Sequence, residues 1–137
     1  KLVVGIQCRL SSKRLPAKAL LGISNTTILG MLIKRAKLWQ YPVYVLTSTL
    51  EEDDLIELEA LACGADGVIR GDLNDVRGRY KMLAKEKDFD YLCACKFPHV
   101  YVIPFSKIKQ RTCVTFSHYP EYKYDLNNPE TYEYKPI

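Results

Sequence analysis

Four cations, Arg9, Lys13, Arg14 and Lys18, fall within ten residues together with the hydroxyls of Ser11 and Ser12, and no acidic side chain interrupts them. A guanidinium presents a planar fork to two phosphate oxygens, and a lysine supplies a mobile point charge. This set therefore suits a polyphosphate. The charge of the chain is distributed to match. The formal net charge is +4, but residues 1–50 hold eight Lys and Arg and no Asp or Glu, while residues 51–137 hold twelve basic and sixteen acidic side chains, giving +8 and −4. A positive field of this kind raises the local concentration of an anion without choosing which one. Nucleic acid ranks below a nucleotide, because its binding calls for basic residues along a face with aromatic stacking partners interleaved, and the aromatics lie mostly elsewhere.

The cations need a scaffold, and the pattern around them supplies one. Leu2 to Gln7 is a short apolar run that ends in the basic loop, consistent with a strand buried on both faces. Asn25, Thr26 and Thr27 are N-cap candidates for a helix over about 28–39, with Leu29, Leu32, Ile33 and Ala36 at helical spacing. Pro42 breaks the pattern, and Val43 to Thr47 reads as a second strand. Glu51, Glu52, Asp53 and Asp54 open the next helix as complements to its dipole, and Leu55, Leu58, Leu61 and Ala62 predict its core-facing stripe, which stops at Gly64. A strand at Gly67 to Arg70, a helix from about Asp75 to Lys87 and a fourth strand at Asp90 to Cys95 follow. Asp72 and Asn74 are candidates for capping as much as for a site.

Short strands alternating with longer helices predict an α/β fold, a mainly parallel sheet with helices on both faces. Ligands in such sheets bind beyond the carboxyl ends of the strands, where the basic loop lies. The pattern weakens after Lys96, with a strand at Val100 to Ile103 and a short helix at Phe105 to Gln110. We expect a nucleotide-binding α/β domain over 1–118 and a Tyr/Pro-rich arm over 119–137 that packs on the domain or on another subunit.

With 137 residues, 47% of them apolar and 26% charged, the chain has the size and composition of one globular domain. No apolar run approaches the roughly 20 residues that cross a bilayer, so no membrane partner is expected. Lys1 leads directly into a strand with no secretory signal pattern and no initiator methionine, which points to a trimmed start. Five scattered cysteines, Cys8, Cys63, Cys93, Cys95 and Cys113, read as reduced thiols and imply a cytoplasmic setting. Cys93 and Cys95 with His99 and His118 make a nominal zinc set, but without a compact Cys-x-x-Cys pair they read as buried thiols, and no metal ligands are assigned.

The run QCRLSSKRLPAKAL, Gln7 to Leu20, resembles the nucleotide-binding loop of cytidylyltransferases of the spore-coat polysaccharide biosynthesis type, whose usual form is close to QARMGSTRLPGKVL. Gln7, Arg9, Ser11 or Ser12, Arg14, Leu15, Pro16, Lys18 and Leu20 stay in register. TSTLEEDDLI, Thr47 to Ile56, is similar to TSTNPEDDPI of that family, and RGDLNDVRGRY, Arg70 to Tyr80, is similar to RGSEDDVLDRY. The resemblance implies a shortened Rossmann-like nucleotidyltransferase fold and transfer of CMP from CTP to a sugar acid or related surface-glycan precursor, with release of pyrophosphate. It implies that Arg9, Ser12, Arg14 and Lys18 cradle the triphosphate beside Gln7, with Arg14 and Lys18 neutralising the leaving pyrophosphate. Thr47 and Ser48 would lie near the base or ribose, and Arg70, Asp72, Asp75 and Arg79 would line the acceptor side.

It also implies Mg2+ as cofactor and a sugar-acid-like partner; the oligomeric state, a homodimer among the options, is left open by the sequence, and the distribution of aromatics argues against a nucleic-acid partner. Two departures accompany it. Glycines of the usual loop are replaced by Ser11 and Ala17, and the family's fourth strand ends in an aspartate that helps hold magnesium, where this chain has Cys95, Lys96, Phe97 and Pro98. The later acceptor-binding and metal-binding segment is expected to be absent. A catalytically degenerate nucleotide-binding or assembly protein of the same fold is the alternative reading.

Overall fold

A computed structural model describes residues 2–11, 15–87, 91–96, 99–108 and 120–125; the side chains at 92–96, 99–100, 105, 122 and 124–125 lie outside the description. Strand β1 (Val4–Gln7) delivers the chain to the basic loop, and a 3-10 turn (Lys18–Leu20) closes it. The small hairpin of β2 (Gly22–Ile23) and β3 (Thr26–Thr27) leads into helix α1 (Ile28–Lys37). Strand β4 (Val43–Ser48), helix α2 (Asp54–Ala62), strand β5 (Gly67–Gly71) and helix α3 (Val76–Lys87) complete the alternation.

The sheet order is β1-β4-β5, parallel throughout, with Ile6 opposite Val45 and Leu46 opposite Ile69. Ile6, Val43 and Val45 pack with Leu29, Ile33 and Ala36 of α1 and Ile56 and Ala60 of α2, forming the larger core on one face. On the other face Leu46 and Ile69 meet Leu83 of α3, with Tyr44 and Tyr80 against them. Helices on both faces of a parallel sheet are as the alternation predicts. Gly5 allows this close packing: a Cβ there would lie 3.1 Å from the Tyr80 ring and 3.2 Å from Leu46, so both would have to shift by a few tenths of an ångström.

Helix starts follow from side-chain acceptors. Thr27, one of the cap candidates, takes the Gly30 N–H at 2.9 Å and donates its hydroxyl to Glu59 Oε1 at 2.6 Å, tying α1 to α2. Asp66 accepts the Val43 N–H at 2.7 Å and the Lys37 ammonium at 2.8 Å, fixing the entry to β4.

Expectations for both of the first two helices are corrected. Helix α1 ends at Lys37 rather than Trp39, and its Leu32 is 48% exposed. The stripe of α2 is out of phase: Leu55, Leu58, Leu61 and Ala62 face solvent, while Ile56 and Ala60 are buried. The cause is Asp53, one residue before the helix, which is drawn fully inside by hydrogen bonds and thereby sets positions 53, 56 and 60 inward.

The fourth strand forms as β6 (Tyr91–Lys96), but among the described residues it pairs antiparallel with β7 (His99–Pro104) in a separate sheet rather than joining the parallel one. Strand β8 (Lys123–Asp125) extends that sheet on β7 after a short 3-10 turn (Pro120–Tyr122). Antiparallel pairing needs only a short connection, and Lys96 is paired with His99, whereas a parallel partner needs a crossover. The short helix expected at Phe105 to Gln110 is a 3-10 turn over Phe105–Lys107, and residues 109–110 lie outside the description. No helix among the described residues is long and apolar enough to cross a membrane.

Candidate functional site

The carboxyl end of β1 opens onto a cleft of about 1100 Å³ whose wall includes Gln7, Cys8, Arg9, Leu10, Ser11, Leu15, Pro16 and Lys18 from the loop, with Ile28, Leu29 and Leu32 of α1, Glu52, Leu73 and Asn74. Of the residues expected to hold a nucleotide, Gln7, Arg9 and Lys18 line this cleft with their side chains exposed. Ser12 and Arg14 lie outside the described residues. The wall thus combines cations with an apolar floor, which suits a molecule having a charged and a flat or apolar part.

The loop is pinned at its root by one carboxylate. Asp53, with no solvent exposure, accepts the Leu10 N–H on Oδ1 at 2.8 Å and the Ser48 N–H on Oδ2 at 3.3 Å, and the Ser48 hydroxyl donates to the same Oδ2. Leu10 in turn accepts the Ala17 N–H at 3.1 Å, closing the loop on itself. Buried acids are held by such charge-assisted bonds or not at all. Asp53 is a positioning residue that the sequence reading treated as a dipole complement; its place in the EDD segment, aligned with the family motif, was the available signal. Its helix-opening neighbour Asp54 has a different partner.

Thr47 and Ser48 end β4 fully buried. The Ser48 hydroxyl is engaged by Asp53 and by the Leu50 N–H at 3.2 Å, while Thr47 Oγ1 is buried without a partner among the described residues. Arg70 has every nitrogen engaged: Nε donates to the Ser48 carbonyl at 2.9 Å, Nη2 to the Leu50 carbonyl at 2.8 Å, and Nη1 pairs with Asp54 and Glu57. The Asp54 hydrogen bond leads the effects that raise its pKa. Arg70 therefore clamps β4 to α2. Asp72 accepts the Asn74 and Asp75 N–H groups at 2.8 and 3.1 Å, and Asp75 accepts the Gly78 N–H at 2.8 Å as the N-terminal cap of α3. Both carboxylates hold backbone, and Asn74 reaches the cleft.

Arg79 is 1% exposed, and Nη1 donates to the Asp72 carbonyl at 2.8 Å and the Leu73 carbonyl at 3.4 Å. Burial first, then the neighbouring Arg9 charge, pulls its pKa below the ordinary arginine value. Cys8, on the cleft wall, is a free thiol that burial, and then Asp53, pushes up to about 11, which makes it a poor nucleophile at neutral pH. Among the described residues no three His, Cys, Asp or Glu side chains gather as a metal site.

Residues 3–94 match the family described as Cytidylyltransferase. Among solved structures the chain is similar to a cytidylyltransferase from Leptospira borgpetersenii serovar Hardjo-bovis (strain JB197), at 39% identity and a TM-score of 0.62, over 66% of this chain. The chain spans 39% of that protein's length. None of the curated proteins matches it.

Proposed function

Because the chain belongs to the cytidylyltransferase family, we propose that its cleft binds CTP and supports transfer of CMP to a sugar acid or a related surface-glycan precursor. The observation that carries this reading is the basic loop at the carboxyl end of β1, pinned by buried Asp53 so that Gln7, Arg9 and Lys18 face one cleft. An acceptor oxygen attacks the α-phosphorus, the bond to the bridging oxygen of the β-phosphate breaks, and pyrophosphate leaves. Arg9, Ser12, Arg14 and Lys18 orient the triphosphate, and Arg14 and Lys18 neutralise charge on the departing pyrophosphate. Positioning and charge neutralisation are the main sources of rate in such transfers. The other expected site residues support the cleft rather than line it: Thr47 and Ser48 are buried beneath the nucleotide side, and Arg70, Asp72 and Asp75 are taken up by backbone and acidic partners on the acceptor side, beside Arg79.

Among the described residues no three acids, histidines or cysteines gather as a dedicated magnesium site, and Asp53, Asp72 and Asp75 are taken up by backbone N–H groups. Magnesium would enter as the nucleotide's own complex, and no step is assigned to it. A cytoplasmic setting and a homodimer belong to the same proposal, the latter checked by sedimentation of the purified chain.

Calorimetric titration with CTP, UTP, ATP and GTP, with and without magnesium, tests the reading. We expect selective CTP binding, weakened by about ten- to a hundredfold in Lys18→Ala, the range for losing a charge-assisted contact. Equal affinity in Lys18→Ala would remove the phosphate assignment. A second reading, a nucleotide binder without turnover, is favoured by Lys96 at the end of β6, where the family has an aspartate. Pyrophosphate release in the presence of an acceptor separates the two.

A further inference from the structure

We propose that Arg79 is a receptor for an oxyanion of the substrate, a phosphoryl or carboxylate group, taken by the side-on fork of Nε and Nη2. The identity of the substrate rests on the nucleotidyl-transfer reading; the receptor itself rests on the geometry of one side chain. Helix α3 carries Arg79 inward against β5, where Gly71 makes room: a Cβ on residue 71 would lie 2.8 Å from Arg79 Cγ. The two carbonyls on Nη1, of Asp72 and Leu73, fix the plane of the guanidinium. Nε and Nη2 are buried and have no acceptor among the described residues.

These two nitrogens form one edge of the guanidinium, with parallel N–H bonds spaced to meet two oxygens of a single carboxylate or phosphate. The contrast with Arg70 is direct. Arg70 fills the same edge with the carbonyls of Ser48 and Leu50 and pairs its remaining nitrogen with two acids. Among the described residues no carboxylate pairs with Arg79. Asp53 attracts it, but Asp53 accepts from Leu10 and Ser48, and Asp72 Oδ1 accepts from Asn74 and Asp75.

Leu73, whose carbonyl takes Nη1, and Arg9, whose charge acts on Arg79, both line the cleft, so Arg79 stands directly behind the cleft wall, in the field of a second guanidinium. A buried cation lacking a counter-ion is disfavoured, and replacing it with an apolar residue of similar volume is often neutral or stabilising. A ligand that supplies the missing anion accounts for a charge kept here at the expense of stability.

The test is calorimetry and thermal unfolding of the full chain and of Arg79→Met, Arg79→Lys and Lys81→Met, with CTP, cytidine, inorganic pyrophosphate and glycolate as probes. Lys81 is an exposed charge on the same helix. We expect Arg79→Met to unfold no earlier than the parent and to lose at least about tenfold in affinity for its oxyanion. Loss of CTP and pyrophosphate binding with cytidine unchanged assigns the fork to a phosphoryl group; loss of glycolate binding alone assigns it to a carboxylate. Arg79→Lys keeps the charge without the fork and should remain weakened, and it supplies the comparison if Arg79→Met does not fold.

Unchanged affinity for all four probes in both Arg79 variants would overturn the receptor, as would an equal loss in Lys81→Met or a parent chain that binds no oxyanion. A chain that binds pyrophosphate or glycolate through Arg79 without preferring CTP would keep the receptor and overturn the nucleotide reading. Selective CTP binding by the parent, with CTP, pyrophosphate and glycolate binding all unchanged in the Arg79 variants, would do the reverse.

Discussion

Ala17 stands where the family's usual loop has glycine, and its backbone is in the left-handed region at φ 54° and ψ 18°. An L-residue with a Cβ is strained there, by about 1–2 kcal/mol, although glycine returns roughly 0.4–1 kcal/mol of freedom to the unfolded chain. Ala17→Gly should therefore raise the stability of the protein by about 0.5–1 kcal/mol. Urea unfolding with an unchanged slope checks this; a lower midpoint would mean that the loop is not strained at this residue. The cation cluster and the glycine replacements were legible in the sequence because they are matters of residue type. The role of Asp53 was not. An acid in a first helical turn has the ordinary dipole explanation, and only the three-dimensional meeting of Leu10, Ser48 and Asp53 reveals the stronger one.

Helix α2 illustrates how far periodicity reaches. Its spacing was read correctly and its phase was not, because a stripe of leucines outweighed one aspartate in the count of apolar positions. Hydrogen bonds to a buried carboxylate are specific in direction, whereas hydrophobic burial is not, so Asp53 decides which face turns inward. The consequence is measurable by substitution on the two faces. Ile56→Ala should cost about 2–4 kcal/mol through loss of buried volume, while Leu58→Ser, at 65% exposure, should stay within about 0.5 kcal/mol of the parent. Comparable losses at both positions would contradict the observed rotation of α2. The antiparallel sheet of β6, β7 and β8 escaped the sequence reading for a related reason: local pattern predicts that a strand exists, not which strand it pairs with.

At the scale of the molecule, two packed faces hold a single parallel sheet, and the chain's basic half supplies the strand, loop and helix that build the cleft. The alternation of strands and helices made this architecture legible, since each β-α-β step admits essentially one handedness. The bond from Leu10 to Asp53 joins positions 43 apart. Contacts of such separation close only after the intervening chain has paid the entropy of loop closure. The basic loop therefore matures late in folding, although it precedes β4 and α2 in synthesis: it stays unshaped until residue 53 is in place. In pulse-labelled refolding, the Leu10 amide should gain protection no earlier than Val45 and Ile56. Chains interrupted before α2 would carry the cations of this loop without its grip.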